Sequence, residues 1–570
     1  MLETEGVEAD AALIEGWRAR AARARAALGW TMPGLAARRH GGGASLALAA
    51  PVDQLYTATE VNEWALCATL RARDPARWSQ LEQALAADAL ESAADPAAVV
   101  APVLEEQAAL ARLELLASRE ARPDLMRLLA AAAARSLPHV LDETLLTLGA
   151  GMGGRDFELG ALPEAAAVPW SVLHDIPTAV VTGSNGKTTS VRLVAACGEA
   201  YGWPSAYCCT DGVFLGGRSL AGGDYSGPLG ARLVIRERRA RCAIVETARG
   251  GILRRGIALN HAHAALVTNV SPDHFGEYGI DDLDGLADVK LSVAGLLDPG
   301  GLLVLNAEDE RLVAKAEDLA RRFRSAPRLG WFALDADGAL LSRHRERGGA
   351  TCGVRAGRLL LDRGGAQHDL GSVSDMPLSV GGSARYNIAN LAGAALVAAE
   401  LGVPPALIAS VFARFGASAG DNFGRMMRFE RDGVRILVDY AHNIEGLRGL
   451  LEVAEHLRGS GRLGTLLGHA GNRQDAEIEA LARVAAGFHP ALIVVKENEA
   501  HLRGRPPGEI PRIIRAALLR AGLPESALTV RMSELEAVRC ALEWARPGDV
   551  LALPVHSAAA RAAVLELLAQ

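Results

Sequence analysis

The sequence predicts an α/β protein. A parallel sheet wound with helices is expected over residues 166–424, a smaller α/β domain over 425–570, and an α+β region over 1–165. Three observations carry this. The runs TAVVTG, CAIVET, AALVTNV and GLLVLN are short, β-branched and separated by helical periodicity. After Arg425, four more strand-to-loop junctions follow: VRILVDYAHN, LGTLLGHAGN, ALIVVKENEA and DVLALPVHS. The length, 570 residues, corresponds to three or four domains at about 150 residues each.

The elements follow in order. In the first region, Leu13, Trp17 and Leu28 punctuate an Arg/Ala-rich helix. HGGGASLALAAPVDQLYTATEVNEWALCATL reads as strand, turn and helix, and AAVVAPVLEEQAALARLELLASRE as a long amphipathic helix. TLGAGMGGRDFELG reads as a flexible glycine loop, and the region shows no catalytic constellation. In the central region the insert ATCGVRAGRLLLDRGGAQHDLGSVSDMPLSVGG suggests hairpins, and YNIANLAGAALVAAELG an alanine-rich helix closed by Gly402.

Composition narrows the function classes. The net charge of −7, from 60 basic and 67 acidic residues, gives no basic face, so no nucleic-acid partner is expected. The seven cysteines form no CxxC pair, which argues against a zinc ribbon or redox motif and fits reduced thiols. The N-terminus has no apolar signal core, and LMRLLAAAAARSL is too short and interrupted to span a bilayer. The expectation is a cytoplasmic protein with no membrane partner; homo-oligomerisation is left open.

The chemistry gathers at strand ends, where parallel sheets bind ligands. TAVVTGSNGKTT places Gly183, Asn185, Gly186, Lys187, Thr188 and Thr189 between a strand and a helix. Only two residues separate Gly183 from Gly186-Lys187, so this is not the common phosphate loop, which has four. Backbone N–H groups and a helix N-terminus still suit phosphate there. Lys187 would neutralise β- and γ-phosphates, and the Thr188 hydroxyl would reach Mg²⁺. Glu246 ends CAIVET and can ligate Mg²⁺ through oxygen. AALVTNV runs into Ser271-Pro272-Asp273-His274, an imidazole beside the same loop. Asn306 ends GLLVLN and could read an adenine edge or cap a helix. Arg249, Arg254 and Arg255, and farther on Arg503 and Arg505, could hold substrate carboxylates or be salt-bridged surface. Lys290, taken alone, would be a solvated helix lysine.

Taken together, TGSNGKTT, ETARGG, VTNVSPDH, LNAED, NIAN, the Gly424-Arg425 pair and VDYAHN resemble the Mur ligases and folylpolyglutamate synthetases. ETARGGILRRG, NVSPDHFGEYGIDDLDGLADVK, DNFGR and HLRGRPPGEI are more narrowly similar to the Mur-ligase half of the cyanophycin synthetases, from about residue 168 onward. The resemblance implies a three-domain ATP-dependent amide ligase. By matching position it implies ATP and Mg²⁺ at Lys187 and Thr188, and metal at Glu246 and His274. It further implies carbamoylation of Lys290, adenine contact by Asn306, γ-phosphate contact by Arg425 and ribose contact by Asp439. His442 and Asn443 would face the nucleotide, while Asn387 and Asn390 match a family helix. Arg473 stands in a substrate loop where Asn472 replaces the family's usual Asp, and Arg503 would lie near the amino-acid or polymer end.

These groups suit activation of a carboxylate as an acyl phosphate, which an amine then attacks. The expected partners are amino-acid or short-peptide substrates. About 165 residues precede the Mur-like half and carry no second nucleotide motif, so one condensation is expected. A P-loop NTPase or kinase without an amine substrate, a noncatalytic Mur-like scaffold, and a ligase fed ammonia by a partner are the alternatives.

Overall fold

The computed structural model describes residues 1–570 except 5, 7, 33, 41, 77–105, 273, 274, 276, 277, 324, 325, 498–501 and 570. The chain divides into two compact units. The first comprises residues 1–136, 157–168 and 275–281, and the second residues 137–156, 169–274 and 282–570.

In the first unit, β1 (Leu2–Glu3), β2 (Leu35–His40) and β3 (Gly43–Leu48) form an antiparallel sheet in the order β1-β3-β2. Helices Ala11–Ala27 and Leu55–Arg73 enclose a core with Leu13, Trp17, Leu46 and Trp64. Trp17 is buried and donates its indole N–H to Asn62 Oδ1 at 2.8 Å, which satisfies the polar end of a large apolar side chain. Helix Glu106–Glu120 is the described part of the long amphipathic pattern; the rest of that pattern lies outside the described residues.

The stretch read as a flexible glycine loop is more ordered than expected. β4 (His139–Leu141) pairs antiparallel with β5 (Leu145–Leu148), a 3₁₀ turn spans Gly151–Gly153, and β6 is Arg155–Glu158. Gly151 has φ +52°, and a Cβ there would meet the Ala240 carbonyl oxygen at 2.5 Å. The glycine thus permits close backbone packing that a loop reading of the sequence does not reveal.

The second unit holds two sheets. The larger begins with β7 (Thr178–Thr182), β8 (Ser205–Cys209), β9 (Gly212–Leu215), β10 (Arg218–Gly222) and β11 (Cys242–Glu246). It continues with β12 (Ala262–Val267), β13 (Leu297–Asn306), β14 (Arg328–Phe332), β15 (Ala350–Arg355), β16 (Arg358–Arg363) and β17 (Ala366–Ser372). The order is β10-β9-β8-β11-β7-β12-β13-β14-β15-β16-β17. Pairing is parallel from β8 through β15 and antiparallel at both edges, so the insert does form hairpins. β7 and β11 are buried along their whole length, which is why they read as continuous apolar runs. The alanine-rich helix Arg385–Glu400 packs with helix Lys187–Ala200 in the core on one side; its alanines allow close approach.

The smaller sheet contains β18 (Met427–Arg431), β19 (Val434–Asp439), β20 (Leu463–Leu467), β21 (Leu492–Lys496), β22 (Leu528–Arg531) and β23 (Val550–Pro554). Its order is β18-β19-β23-β20-β21-β22, parallel except for the β18–β19 hairpin. Among the described residues no helix is long and apolar enough to cross a membrane.

Candidate active site

β7 ends at Thr182, and the chain turns through Gly183–Gly186 into helix Lys187–Ala200. Both glycines are sterically required. Gly183 has φ +147°, and a Cβ there would sit 1.8 Å from Thr268 Oγ1. Gly186 caps the helix with φ +84°, and its Cβ would sit 2.1 Å from Asn390 Oδ1. The loop is tied to the end of the neighbouring strand. Asn185 N donates to Asn269 Oδ1 at 2.9 Å, and Ser184 N to the Asn269 carbonyl at 3.0 Å. Lys187 Nζ donates to the Ser184 carbonyl at 3.0 Å, folding the ammonium over the loop.

At the floor lies Glu246, the last residue of β11 and fully buried. Its carboxylate accepts from Thr188 Oγ1 at 2.8 Å and from Thr210 Oγ1 at 3.0 Å. Among the described residues, this buried carboxylate and the two hydroxyls that meet it make an all-oxygen donor set beside a phosphate-type loop. That set fits a hard cation such as Mg²⁺.

The smaller sheet supplies the opposite wall. Asp439 ends β19 and accepts from Met426 N at 2.6 Å and Ala441 N at 2.7 Å. Burial pushes its carboxyl above the usual range, against the pull of Arg425 and those N–H groups. The Arg425 guanidinium stacks 4.2 Å from the Tyr440 ring centre. Asn443 caps helix Ile444–Arg458 and reaches across to donate to Asn185 Oδ1 at 2.9 Å. The open cleft between these walls has a volume of about 670 Å³. Asn185, Gly186, Lys187, Thr188, Thr189, Glu246, Asn306, Arg425, Asp439 and His442 all line it, with Asn387 and Asn390.

The same two regions match family models. Residues 181–328 match the Mur ligase middle domain, and residues 424–553 the Mur ligase glutamate ligase domain. The chain carries two Mur ligase domains. It is 33% identical over 380 residues to a cyanophycin synthetase of Trichormus variabilis, covering 66% of this chain and 41% of that protein. It is 27% identical over 379 residues to a UDP-N-acetylmuramoyl-L-alanyl-D-glutamate–2,6-diaminopimelate ligase of Chlorobaculum tepidum, covering 65% and 70%. A solved structure of E. coli FolC in complex with ADP superposes with a TM-score of 0.49 at 17% identity, covering 69% of this chain and 89% of that one. The chain spans less than half the length of the cyanophycin synthetases it matches.

The remaining candidates are placed less uniformly in the Mur ligase domains. Asn306 is in the cavity wall, yet the cap of the following helix is Asp309, not Asn306. Its amide donates to the Thr268 carbonyl at 3.2 Å and accepts from Glu308 N at 2.9 Å. Lys290 is buried on helix Leu283–Leu291, against the plain expectation of a solvated lysine, and does not line the cavity. Arg249 is buried and Arg254 exposed at the two ends of the short helix Arg249–Arg255, and neither lines the cavity. Arg473 is buried and lies 3.7 Å from Glu477, one helical turn on. Arg503 has φ +50° and is exposed, away from this cavity. His274 lies outside the described residues.

Sequence reasoning passed over Thr210, Asn269 and Tyr440. Thr210 follows β8 in CCTDG, a polar strand end that the carboxyl-end rule could have flagged. Asn269 follows β12 in the same way.

Proposed function

We propose that this chain is an ATP-dependent ligase that joins the carboxylate of an amino acid or short peptide to an amine, releasing ADP and phosphate. The observation that carries the reading is one cavity in which Lys187, Thr188 and Glu246 of the middle domain face Arg425 and Asp439 of the C-terminal domain. Similarity to two kinds of ligase supports the same class.

The loop N–H groups and Lys187 hold the phosphates of ATP, and Asn306 and Asp439 hold its base and sugar. Thr188 and Glu246, with His274, hold Mg²⁺; when bound, the ion draws charge from the phosphate oxygens. The substrate carboxylate oxygen attacks the γ-phosphorus, the bond to the ADP oxygen breaks, and a mixed anhydride forms. Lys187 and Arg425 stabilise charge developing on the transferred group. The amine nitrogen then attacks the acyl carbon, phosphate leaves, and the nitrogen loses a proton. Asn443, bonded to Asn185 across the cavity, helps keep the walls together so that water is excluded from the anhydride. Lys290, buried on helix Leu283–Leu291, is where carbamoylation would turn a cation into an anion able to bind metal.

Arg249, Arg254, His442, Arg473 and Arg503 are the candidates for contact with the acid, the amine or the peptide end. The chain acts on soluble amino-acid or peptide substrates in the cytoplasm.

The test is ADP release over a panel of amino acids and short acidic peptides, with mass detection of the product. Release should depend on both an acid and an amine, and Lys187→Ala should lower it by about 100-fold or more. ADP release that ignores the amine would favour an NTPase or kinase. Full turnover in the Lys187→Ala variant would refute the assigned site.

A further inference from the structure

Asp211 stands in the turn between β8 and β9, one residue beyond Thr210. Its carboxylate is buried, and three guanidinium groups surround it. Arg192, on the helix that leaves the phosphate loop, donates Nη2 to Oδ2 at 3.0 Å. Arg561, on the last helix, Ala558–Ala569, donates Nη2 to Oδ1 at 2.8 Å. Arg425 Nη2 lies 3.9 Å from Oδ2. The three cations therefore come from the middle domain (Arg192), from the start of the C-terminal domain (Arg425) and from the last helix of the chain (Arg561).

The joining segment is bonded to the same helix at two further points. Asn422 Nδ2 donates to Thr189 Oγ1 at 3.2 Å, and Arg192 Nη1 donates to the Phe423 carbonyl at 2.7 Å. Gly424, with φ +74°, lies against Arg561; a Cβ there would sit 3.0 Å from Arg561 Nε. That Nε is itself buried, with no hydrogen-bond partner among the described residues.

One carboxylate thus serves three cations, and it serves them unequally. Arg192 and Arg561 make short bonds and are nearly inaccessible. Arg425 is farther away, more exposed, and propped on the Tyr440 ring. It is also the one that lines the cavity with Lys187. Arg425 also donates Nη1 to the Gly424 carbonyl at 3.1 Å, so the cation that Asp211 holds most loosely is the one that faces the place where a phosphate would lie.

We propose that Asp211 is a positioning residue: it holds Arg425 at the rim of the cavity, and through Arg192 and Arg561 it makes that position depend on the two domains being joined. The proposal rests on the nucleotide reading above. Without the carboxylate, three like charges are left together in a region of low dielectric, and the most loosely held one is displaced. Arg425 then meets a γ-phosphate poorly, while the grip on α- and β-phosphates, which belongs to the loop, is kept.

The experiment compares binding of ADP and of a non-hydrolysable ATP analogue, both with Mg²⁺, by titration calorimetry on the full chain. Wild type should prefer the triphosphate. Asp211→Asn should lower that preference by about tenfold, with ADP affinity shifted by less than about threefold. Asp211→Glu keeps the charge and should recover most of the preference. Arg425→Ala should abolish it, and Asp211→Asn added to Arg425→Ala should change nothing more. Should Asp211→Asn fail to fold, Asp211→Glu still carries the test, with an expected loss of about twofold to fivefold from moving the charge by one methylene. A preference unchanged or increased in the Asp211 variants, while Arg425→Ala loses it, would overturn the role of Asp211 and leave the nucleotide site standing. Wild type that binds neither nucleotide would overturn both.

Discussion

Two buried charge clusters in the second unit are built on opposite plans. Around Asp211, one carboxylate faces three arginines: Arg192 of the middle domain, Arg425 at the start of the C-terminal domain and Arg561 on the last helix. Around Glu534, one carboxylate is saturated from within a single domain. Lys496, fully buried at the end of β21, contacts Glu534 Oε1, while His556 N and Ser557 N donate to the same carboxylate at 2.9 and 2.7 Å. The chain of bonds runs on: Lys496 Nζ lies 3.4 Å from His556 Nδ1, and His556 Nε2 lies 3.0 Å from the Ala441 carbonyl. A lysine always donates, so Nδ1 accepts and Nε2 carries the proton that Ala441 receives. Every polar atom named has its partner, and the loop Asp439–Asn443 is anchored from behind. The saturated cluster fixes a loop inside one domain; the undersaturated one links parts that belong to two.

The largest effect that would break this contrast is on stability. Glu534→Gln leaves Lys496 buried without its counter-charge and should cost about 3–5 kcal/mol in urea unfolding. A loss below about 1 kcal/mol would mean that the cluster is not the anchor described.

Acid should dissect the same cluster. Burial alone would raise the Glu534 carboxyl, but Lys496, His556 and the backbone N–H groups outweigh it and hold it down to about 2. A carboxyl lowered on folding adds stability that is complete above its ordinary value of 4.5 and is lost as pH falls toward about 2. Thermal melts should therefore show a decline across that window that is absent in Glu534→Gln.

The smaller prediction sharpens the loop side. Gly186→Ala forces a Cβ into Asn390 at a left-handed φ. It should weaken nucleotide binding by about tenfold, while stability falls by only about 1–2 kcal/mol. A fold still stable enough to assay that binds nucleotide as tightly as wild type would make Gly186 a folding residue and nothing more.

What could be read from the sequence follows from how local each feature is. The loop from Gly183 to Thr189 was legible because its steric demands fall within seven consecutive residues. Asp439 was singled out by its family motif, whereas Glu246 and Asn306 were legible because each ends an apolar run, and a parallel sheet brings such ends to one side. The two-sheet architecture was legible for the same reason. Asp211 was not, because its surroundings depend on Arg192, Arg425 and Arg561, brought together only by the fold. Arginine is also frequent in this chain, so its presence carries little information. Arg249 and Arg254 show the converse: five residues apart, one is buried and one exposed, as a short helix with two environments requires. The burial of Lys290 was not legible from periodicity, which alone does not say which side of helix Leu283–Leu291 is covered.

The most direct test of the central claim is a crystal structure with Mg²⁺ and a non-hydrolysable ATP analogue. The expected result is a γ-phosphate held between Lys187 and Arg425, with the metal on Thr188 and Glu246. A triphosphate lying away from Lys187, or a cavity still empty at saturating analogue, would contradict the account.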